Sequence, residues 1–465
     1  MTRSLLKYFI LIIILLPFNY LIAQKEANVW YFGEYLGLDF NSGQPQKLSG
    51  MMRASRNCAS MSDSSGNFLF ATNGEAIWNR DKVIMQNGDS LKGSRAASAG
   101  VLIIKKPGSD HLYYVFTVPS YQNTPGLYYS VVDMDLDNGL GAVTQYKNIP
   151  LSAAWDGLEK LTAVKHTNGQ DVWVITRKSE EVSYAAFLLT STGIDDEPVI
   201  SFSPERPVYF SRGSMKISYD KKYFITANAT IALPEDDPYA RFDVNRFNAS
   251  TGEINFMYSV RIKDDNYNSN QQPNSIEFSP DSKLAYLCTW TYTSATGDST
   301  EYRVYQYDMT LVEDSAQFVQ SALLITHKGG TGLQLATDGK IYCGKKEYFD
   351  PATGSFVNVI HYPWKRGTAC YFEEDAIDFG ENDVVRNLPN ILLDYLYRFE
   401  WEGHCSADPF YFQSNFQPDP AFIEWNFADP LSGSNNISHD INPIHTLLGA
   451  GNMKSMRMWN TPTAG

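Results

Sequence analysis

Clustered carboxylates are the side chains in this chain whose spacing best suggests a reaction. Glycosidic bonds are cleaved by two acids held about 5–10 Å apart on either side of the bond. Three acidic clusters come into consideration: Glu180 with Glu181, Glu235 to Asp237, and Glu373, Glu374 with Asp375. The third follows an aromatic run near the end of a repeat array, where an innermost strand would line a central channel. Solvated surface charge is the favoured reading for all three, as for most acidic runs. Two aromatic–basic triplets, Trp78-Asn79-Arg80 and Trp364-Lys365-Arg366, supply groups suited to sugars or peptides. Trp78, Arg80, Trp364 and Arg366 are therefore candidate binding residues, although interior packing explains the tryptophans equally well.

Metal chemistry finds little support. The seven histidines (111, 166, 327, 361, 404, 439 and 445) fall in no HExxH motif, and the chain has neither a CxxC pair nor a Gly-rich phosphate loop. Asp133, Asp135 and Asp137 with Gly139 imitate the start of a calcium loop. Thr144 stands where such a loop needs its bidentate acid, so a plain turn is the reading. His439, Asp440 and His445, near Asp429, Asn435 and Asn436, read as carboxamide-rich turns. No metal and no cofactor are expected.

The elements that must position these residues repeat. A turn rich in Asp, Gly, Asn or Ser leads into a short aromatic and β-branched run six times, at 62–74, 106–118, 166–178, 218–228, 279–290 and 336–344. Spacing of this kind marks radially repeated β-sheet. A second set of tight turns interleaves with the first, at Phe40–Gly43, Asn87-Gly88, Asp133–Gly139, Thr190–Gly193, Asn248–Gly252 and Asp350–Gly354. One hairpin between inner strands and one between outer strands make a four-stranded blade. Six blades are expected at about 52–90, 97–143, 159–194, 211–252, 273–313 and 331–354. Two remnants, Asn28–Gly43 and Thr368–Asp394, are expected to join as a seventh, with strands near Trp30–Phe40 pairing with Tyr371–Phe379. That closure would hide a sheet edge and would set Glu373 to Asp375 near the channel. Leu388–Tyr397 is the best helix candidate in a chain otherwise all-β by pattern.

The N-terminus bears on compartment. Arg3 and Lys7 precede an apolar run from Tyr8 to Leu16, and Leu21-Ile22-Ala23-Gln24 closes the segment. This is the layout of a secretory signal peptide, residues 1–24, cleaved after Ala23 or Gln24. The run is shorter than the ~20 residues a membrane span needs. The formal charge is −14, and removal of Arg3 and Lys7 with the leader leaves −16. An acidic exported chain argues against nucleic acid and anionic membranes as partners. Five cysteines are too few for a disulfide scaffold. Cys58 and Cys370 begin the first and last repeats, so a disulfide between them and a pair of free thiols are the alternatives.

Several stretches carry a resemblance. WYFG…GLDFNSG, CASMSDSSGNFLFATNGEAIWNRD, KKPGSDHLYYVFTV, GLYYSVVDMDLDNGLG, LQLATDGKIYCG and GTACYFEEDAIDF…LPNILLDYL occur in that order over about residues 28–397. Together they resemble a family of exported Bacteroidota WD40-like β-propellers. Its members commonly continue into PKD-type, immunoglobulin-like domains, and many end in a sorting domain for type IX secretion and are associated with gliding motility. The tail, Trp425-Asn426-Phe427-Ala428-Asp429 and Asn442-Pro443-Ile444-His445, is similar to the start of a PKD domain. Ala428 replaces a Gly of that pattern, and Gly451–Arg457 departs from its G-x-Y-x-V-x-L strand, so a short or incomplete sandwich is implied. The expected layout is a leader at 1–24, a propeller at 25–397 and a linker with a partial PKD-like domain at 398–465. The expected function is a non-enzymatic extracytoplasmic or cell-surface module that presents propeller loops to a protein or glycan. The alternative is a polysaccharide-active or other hydrolytic propeller using channel-facing Glu373, Glu374 or Asp375.

Overall fold

The computed structural model describes residues 25–446 apart from 121–125, 179–182, 205–211, 230–239, 263–270, 293–299, 345–355, 381–383, 385–386, 397–398, 403–408, 415–424 and 428. The expectations placed on the leader, Glu180–Glu181, Glu235–Asp237, Asp350–Gly354, Ala428 and Gly451–Arg457 lie outside the described residues.

Seven antiparallel sheets follow one another along the chain, and the molecule is a seven-bladed β-propeller. Blade 1 is β1 (Val29–Phe32), β2 (Glu34–Asp39) and β3 (Gln46–Arg53). Blade 2 is β4 (Ala59–Ser62), β5 (Phe68–Thr72) and β6 (Ile77–Asn79). Blade 3 holds β7 (Val101–Lys105), β8 (Leu112–Thr117) and β9 (Leu127–Asp133). Two short strands, β10 (Ala142–Val143) and β11 (Ile149–Leu151), share its outer edge. Blade 4 repeats that plan with β12 (Gly157–Lys165), β13 (Val172–Lys178), β14 (Ser183–Thr190), β15 (Gly193–Ile194) and β16 (Val199–Phe202). Blade 5 is β17 (Met215–Ile217), β18 (Tyr223–Asn228), β19 (Arg241–Phe247) and β20 (Ile254–Val260). Blade 6 is β21 (Gln272–Phe278), β22 (Leu284–Tyr292), β23 (Thr300–Asp308) and β24 (Leu323–Thr326). Blade 7 is β25 (Gly332–Leu335), β26 (Ile341–Gly344), β27 (Phe356–Ile360) and β28 (Phe372–Asp378).

All six repeated hairpins join the innermost strand of a blade to the second. Each turn places one residue in the left-handed region: Gly66, Gly108, Gly169, Lys221, Ser282 and Gly339, with φ between 58° and 88°. This is why the turn composition recurs. Side-chain hydroxyls stitch neighbouring innermost strands together. Ser60 Oγ accepts the Tyr31 N–H, Ser214 Oγ the Ile276 N–H and Ser275 Oγ the Leu333 N–H, at 2.8–3.1 Å. Aromatic and aliphatic side chains between the blades form one apolar core that extends from Ala27 to Leu396.

The closure differs from the expectation. Residues 29–53 do not complete the last blade; β1, β2 and β3 make a blade of their own. The segment at 372–378 is the fourth strand of blade 7, paired to β27. Among the described residues, no backbone pairing joins 29–53 to 371–379. The ring closes instead by ring packing: Trp30 and Phe40 lie 5.7 and 5.3 Å from Tyr342, and Phe32 lies 5.7 Å from Phe379. Gly33, at φ 60°, makes the tight turn that lets β1 fold back on β2. With that turn, the aromatic run at 29–40 is an inner hairpin, whereas its sequence pattern reads as an outer one.

After blade 7 the helix expected at Leu388–Tyr397 reduces to a 3-10 turn at Leu393–Leu396. Further on, β29 (Phe399–Glu402), β30 (Phe410–Ser414) and a later strand at Ile444–His445 form a three-stranded sheet. Trp425–Asn426 pairs with Ile437–Ser438. Phe412 packs on Trp425 and Phe427 at 5.6 and 5.1 Å, which gives this unit a small aromatic core.

Candidate functional site

The channel, where the sequence pattern sets the candidate acids, is filled by the segment that follows blade 7. Asn387 Nδ2 donates to Ser98 O, and Asn390 N donates to Cys58 O at 2.9 Å. Asn390 Nδ2 reaches Val101 O and Leu161 O at 3.1 and 3.0 Å. Further along, Asp394 accepts the Lys165 N–H at 2.8 Å and the Lys221 ammonium at 2.7 Å, and Tyr395 OH accepts the Lys105 N–H at 3.1 Å. The first partners sit at the N-terminal ends of the innermost strands and the last at their C-terminal ends, so 387–396 threads the ring from one face to the other. Leu388, Ile391, Leu392, Leu393, Tyr395 and Leu396 are buried there. Among the described residues, a cavity of about 30 Å³ lies beside the plug, bordered by Lys216, Gln334 and Asn387 among others, with room for a water or two. Lys216 is held there by Gln334 at 2.7 Å and Glu277 at 3.3 Å.

Glu373, Glu374 and Asp375 are not in the channel. They lie on β28, the outermost strand of blade 7, because that segment adds to β27 and leaves the channel wall to β25. Their partners differ: Glu373 Oε2 is 2.6 Å from His361 Nε2, Glu374 Oε2 is 3.0 Å from Lys328 Nζ, and the Asp375 N–H donates to Asn358 Oδ1 at 2.9 Å. The structure nonetheless gathers five sequence candidates, since Trp364 and Arg366 lie in the loop joining β27 to β28. Arg366 Nη2 donates to Ser321 O and Nη1 to Gln306 O, which fastens this loop to blade 6. Trp78 and Arg80 are elsewhere. Trp78 is half-buried on β6 and packs against the core, and Arg80 Nη2 donates to Gly139 O of the neighbouring blade.

Around the β27–β28 loop the rings form a cluster that composition alone did not reveal. Tyr371 stacks on His361 at 4.7 Å and 23° and lies nearly parallel to Tyr362 at 6.5 Å and 28°. Trp364 meets Tyr362 edge-on at 5.8 Å, and the Lys365 ammonium sits 4.4 Å from the centre of the Tyr362 ring. Tyr362 is 42% and Tyr371 52% exposed. Tyr371 also holds φ 50° as the last residue of a 3-10 turn. The left-handed region costs a residue with a Cβ roughly 1–2 kcal/mol, and an aromatic this exposed recovers little of that by burial. Glycine or asparagine would suit the turn better. Tyr35, near the start of β2, is the other exposed tyrosine with positive φ among the described residues. Val319, Leu323 and Leu324 on the edge of blade 6 are also exposed, and the Arg366–Ser321 bond sets them beside this loop.

Two other clusters are chemically distinct. His111, Asp133 and Asp135 each bring a ligand atom within 4.8 Å of the others, in two exposed turns of blade 3. His111 comes from a different hairpin than the aspartates, so chain spacing could not disclose it, and Asp133 Oδ1 already accepts the Asp135 N–H. Between blades 4 and 5, Asp243 is gripped by Arg177 at 2.9 Å and Arg241 at 2.8 Å, all fully buried. Lys160 donates to Ala227 O at 2.5 Å nearby, and burial, with the Arg177 charge beside it, pushes its ammonium well down. In the C-terminal unit His445 is buried against Asp429 at 3.1 Å and stacks on Phe427 at 4.1 Å, as a packing pair. Cys58 and Cys370 are free thiols, as are Cys288 and Cys343, all buried; Cys58 lies at the channel and Cys370 in the outer loop of blade 7.

No family model matches the chain, and no curated protein matches it. Solved structures to which it is similar include a hypothetical selenium-binding protein from Sulfolobus tokodaii, at 8% identity over 77% of this chain and 92% of that one, TM-score 0.43. A quinonprotein alcohol dehydrogenase-like protein from Bacteroides thetaiotaomicron matches at 12% identity over 79% and 78%, TM-score 0.38. A gluconolactonase from Xanthomonas campestris matches at 10% identity over 68% and 91%, TM-score 0.31.

Proposed function

We propose that this protein is a non-enzymatic, exported interaction module of the cell envelope or exterior, in which a rigid propeller presents the β27–β28 loop to a protein or glycan. The observation that carries this reading is the ring cluster on the propeller rim, in which Tyr362 and Tyr371 are exposed and Trp364 is half-buried beside them. Exposed aromatic patches on a folded surface mark interaction sites. The plug adds support, because Asn387–Leu396 runs through the channel in which the sequence pattern sets the candidate acids, and Glu373 to Asp375 lie on the rim instead. Glu373 and Glu374 lie on the rim with different partners, His361 and Lys328, and form no converging acid pair. Export rests on the leader at 1–24, and the tail serves as a PKD-like spacer or docking unit, in the manner of Bacteroidota surface propellers linked to type IX secretion and gliding.

Capture from native cell envelope tests this reading. Wild-type protein is expected to retain an envelope component that the Tyr362→Ala, Tyr371→Asn double variant does not. Hydrolysis of a glycan by the purified protein, abolished by Glu373→Gln or Glu374→Gln, would replace the binder with an enzyme.

A further inference from the structure

Resting on that reading, we infer that the β27–β28 loop is a carbohydrate platform for a neutral polysaccharide. A pyranose ring offers an apolar C–H face and an equatorial fringe of hydroxyls, and its recognition therefore needs flat aromatic faces beside fixed polar groups. The loop supplies both. Tyr371 and Tyr362 lie within 28° of parallel, with Trp364 edge-on at their side. Next to them, Glu373 is oriented by His361 at 2.6 Å while its side chain stays 42% exposed, which leaves carboxylate lone pairs for neighbouring sugar hydroxyls. Lys365 fixes a second polar group above the Tyr362 ring.

Charge selects among sugars. Lys365 and Arg366 of the loop, with Lys328 just after β24, are matched by Glu373, Glu374 and Asp375 on β28; Lys328 pairs with Glu374, Lys365 lies over the Tyr362 ring and Arg366 donates to backbone carbonyls. These three cations and three carboxylates balance, so the loop has no excess positive charge to draw in an anionic uronate or sulfated chain. The rim position lets a long polymer lie across the site with neither chain end buried. The left-handed Tyr371 fits the same account, since its backbone strain fixes a ring in solvent.

Affinity electrophoresis through gels containing dextran, hydroxyethyl cellulose, galactomannan or xylan, with alginate as the anionic polymer, tests the inference. Wild-type protein is expected to be retarded by at least one neutral polymer and not by alginate. Tyr371→Asn, which suits the left-handed turn and removes the ring, is expected to weaken that retention about tenfold or more while keeping the wild-type thermal midpoint. Tyr371→Phe should restore most of it, and Trp155→Ala, an exposed tryptophan of another blade, should change nothing. Retardation by alginate alone, or retention unaffected by Tyr371→Asn and Tyr362→Ala, overturns the inference. If every polymer fails while the envelope component is still captured through these tyrosines, the carbohydrate inference falls and the interaction module stands. If both fail, both fall.

Discussion

Asp394 ties the plug to the ring through one carboxylate. Burial alone would raise its pKa, but the Lys221 ammonium and the Lys165 charge and N–H outweigh that and hold it below the usual carboxylate range. The unfolded chain therefore takes up this proton at a higher pH than the folded one. The stabilisation is whole above the ordinary aspartate value of about 4 and drains away as pH falls through the lower folded value. Asp394→Asn is expected to cost about 1–3 kcal/mol at neutral pH and to flatten the loss of thermal midpoint between pH 5 and 3, measured by differential scanning calorimetry. Asp243 poses a harder case, because two buried guanidinium groups depend on it. Asp243→Asn should cost about 3–5 kcal/mol in urea unfolding, the scale of a broken buried ion pair. Neither role was legible in the sequence. Asp243 and Asp394 sit in ordinary strand and loop patterns, and their partners, Arg177 and Lys221, are 66 and 173 residues away in the chain.

At the scale of elements, the inner hairpins were legible because a local constraint writes them. Each needs one left-handed residue at the same turn position, and glycine fills four of the six. Gly169→Ala should cost about 1–2 kcal/mol, read from the urea midpoint, whereas Gly169→Asn should come close to wild type, since asparagine tolerates that region. The outer strands obey weaker local rules. In blades 3 and 4 the outer edge is split into two short strands each. In blade 7 the third and fourth strands are joined by the 361–371 loop in place of a tight turn. Without a turn signal, β28 reads as the start of a new inner pair, a pattern that sets Glu373 to Asp375 at the channel instead of on the rim. The candidate residues Trp364, Arg366 and Glu373 were found by type, but their common address required the strand order.

For the whole molecule, the ring and its plug pose one energetic question: whether the plug is held firmly or near balance. Burying its six apolar side chains is worth roughly 9–18 kcal/mol at about 1.5–3 each. Ordering the ten residues from 387 to 396 costs about 10–20 kcal/mol of backbone entropy. The two nearly cancel, so the hydrogen bonds of Asn390 and Asp394 decide the outcome. Asn390→Ala deserts carbonyls of blades 3 and 4 and should tip the plug toward opening. Cys58 reports on this directly, because its carbonyl accepts the Asn390 N–H, its thiol contacts Asn387 O at 3.8 Å, and burial pushes that thiol far above its ordinary range. In a Cys405→Ser background, wild-type protein should react with a thiol reagent only on global unfolding. Asn390→Ala should label Cys58 at least about tenfold faster in native buffer, while Cys343, raised to about 12 by burial in blade 7, keeps its slow rate. Equal acceleration at both cysteines would mean that the whole ring had loosened. Unchanged labelling of Cys58 would mean that apolar packing alone holds the plug, and that the entropy of ordering it is smaller than the usual per-residue cost.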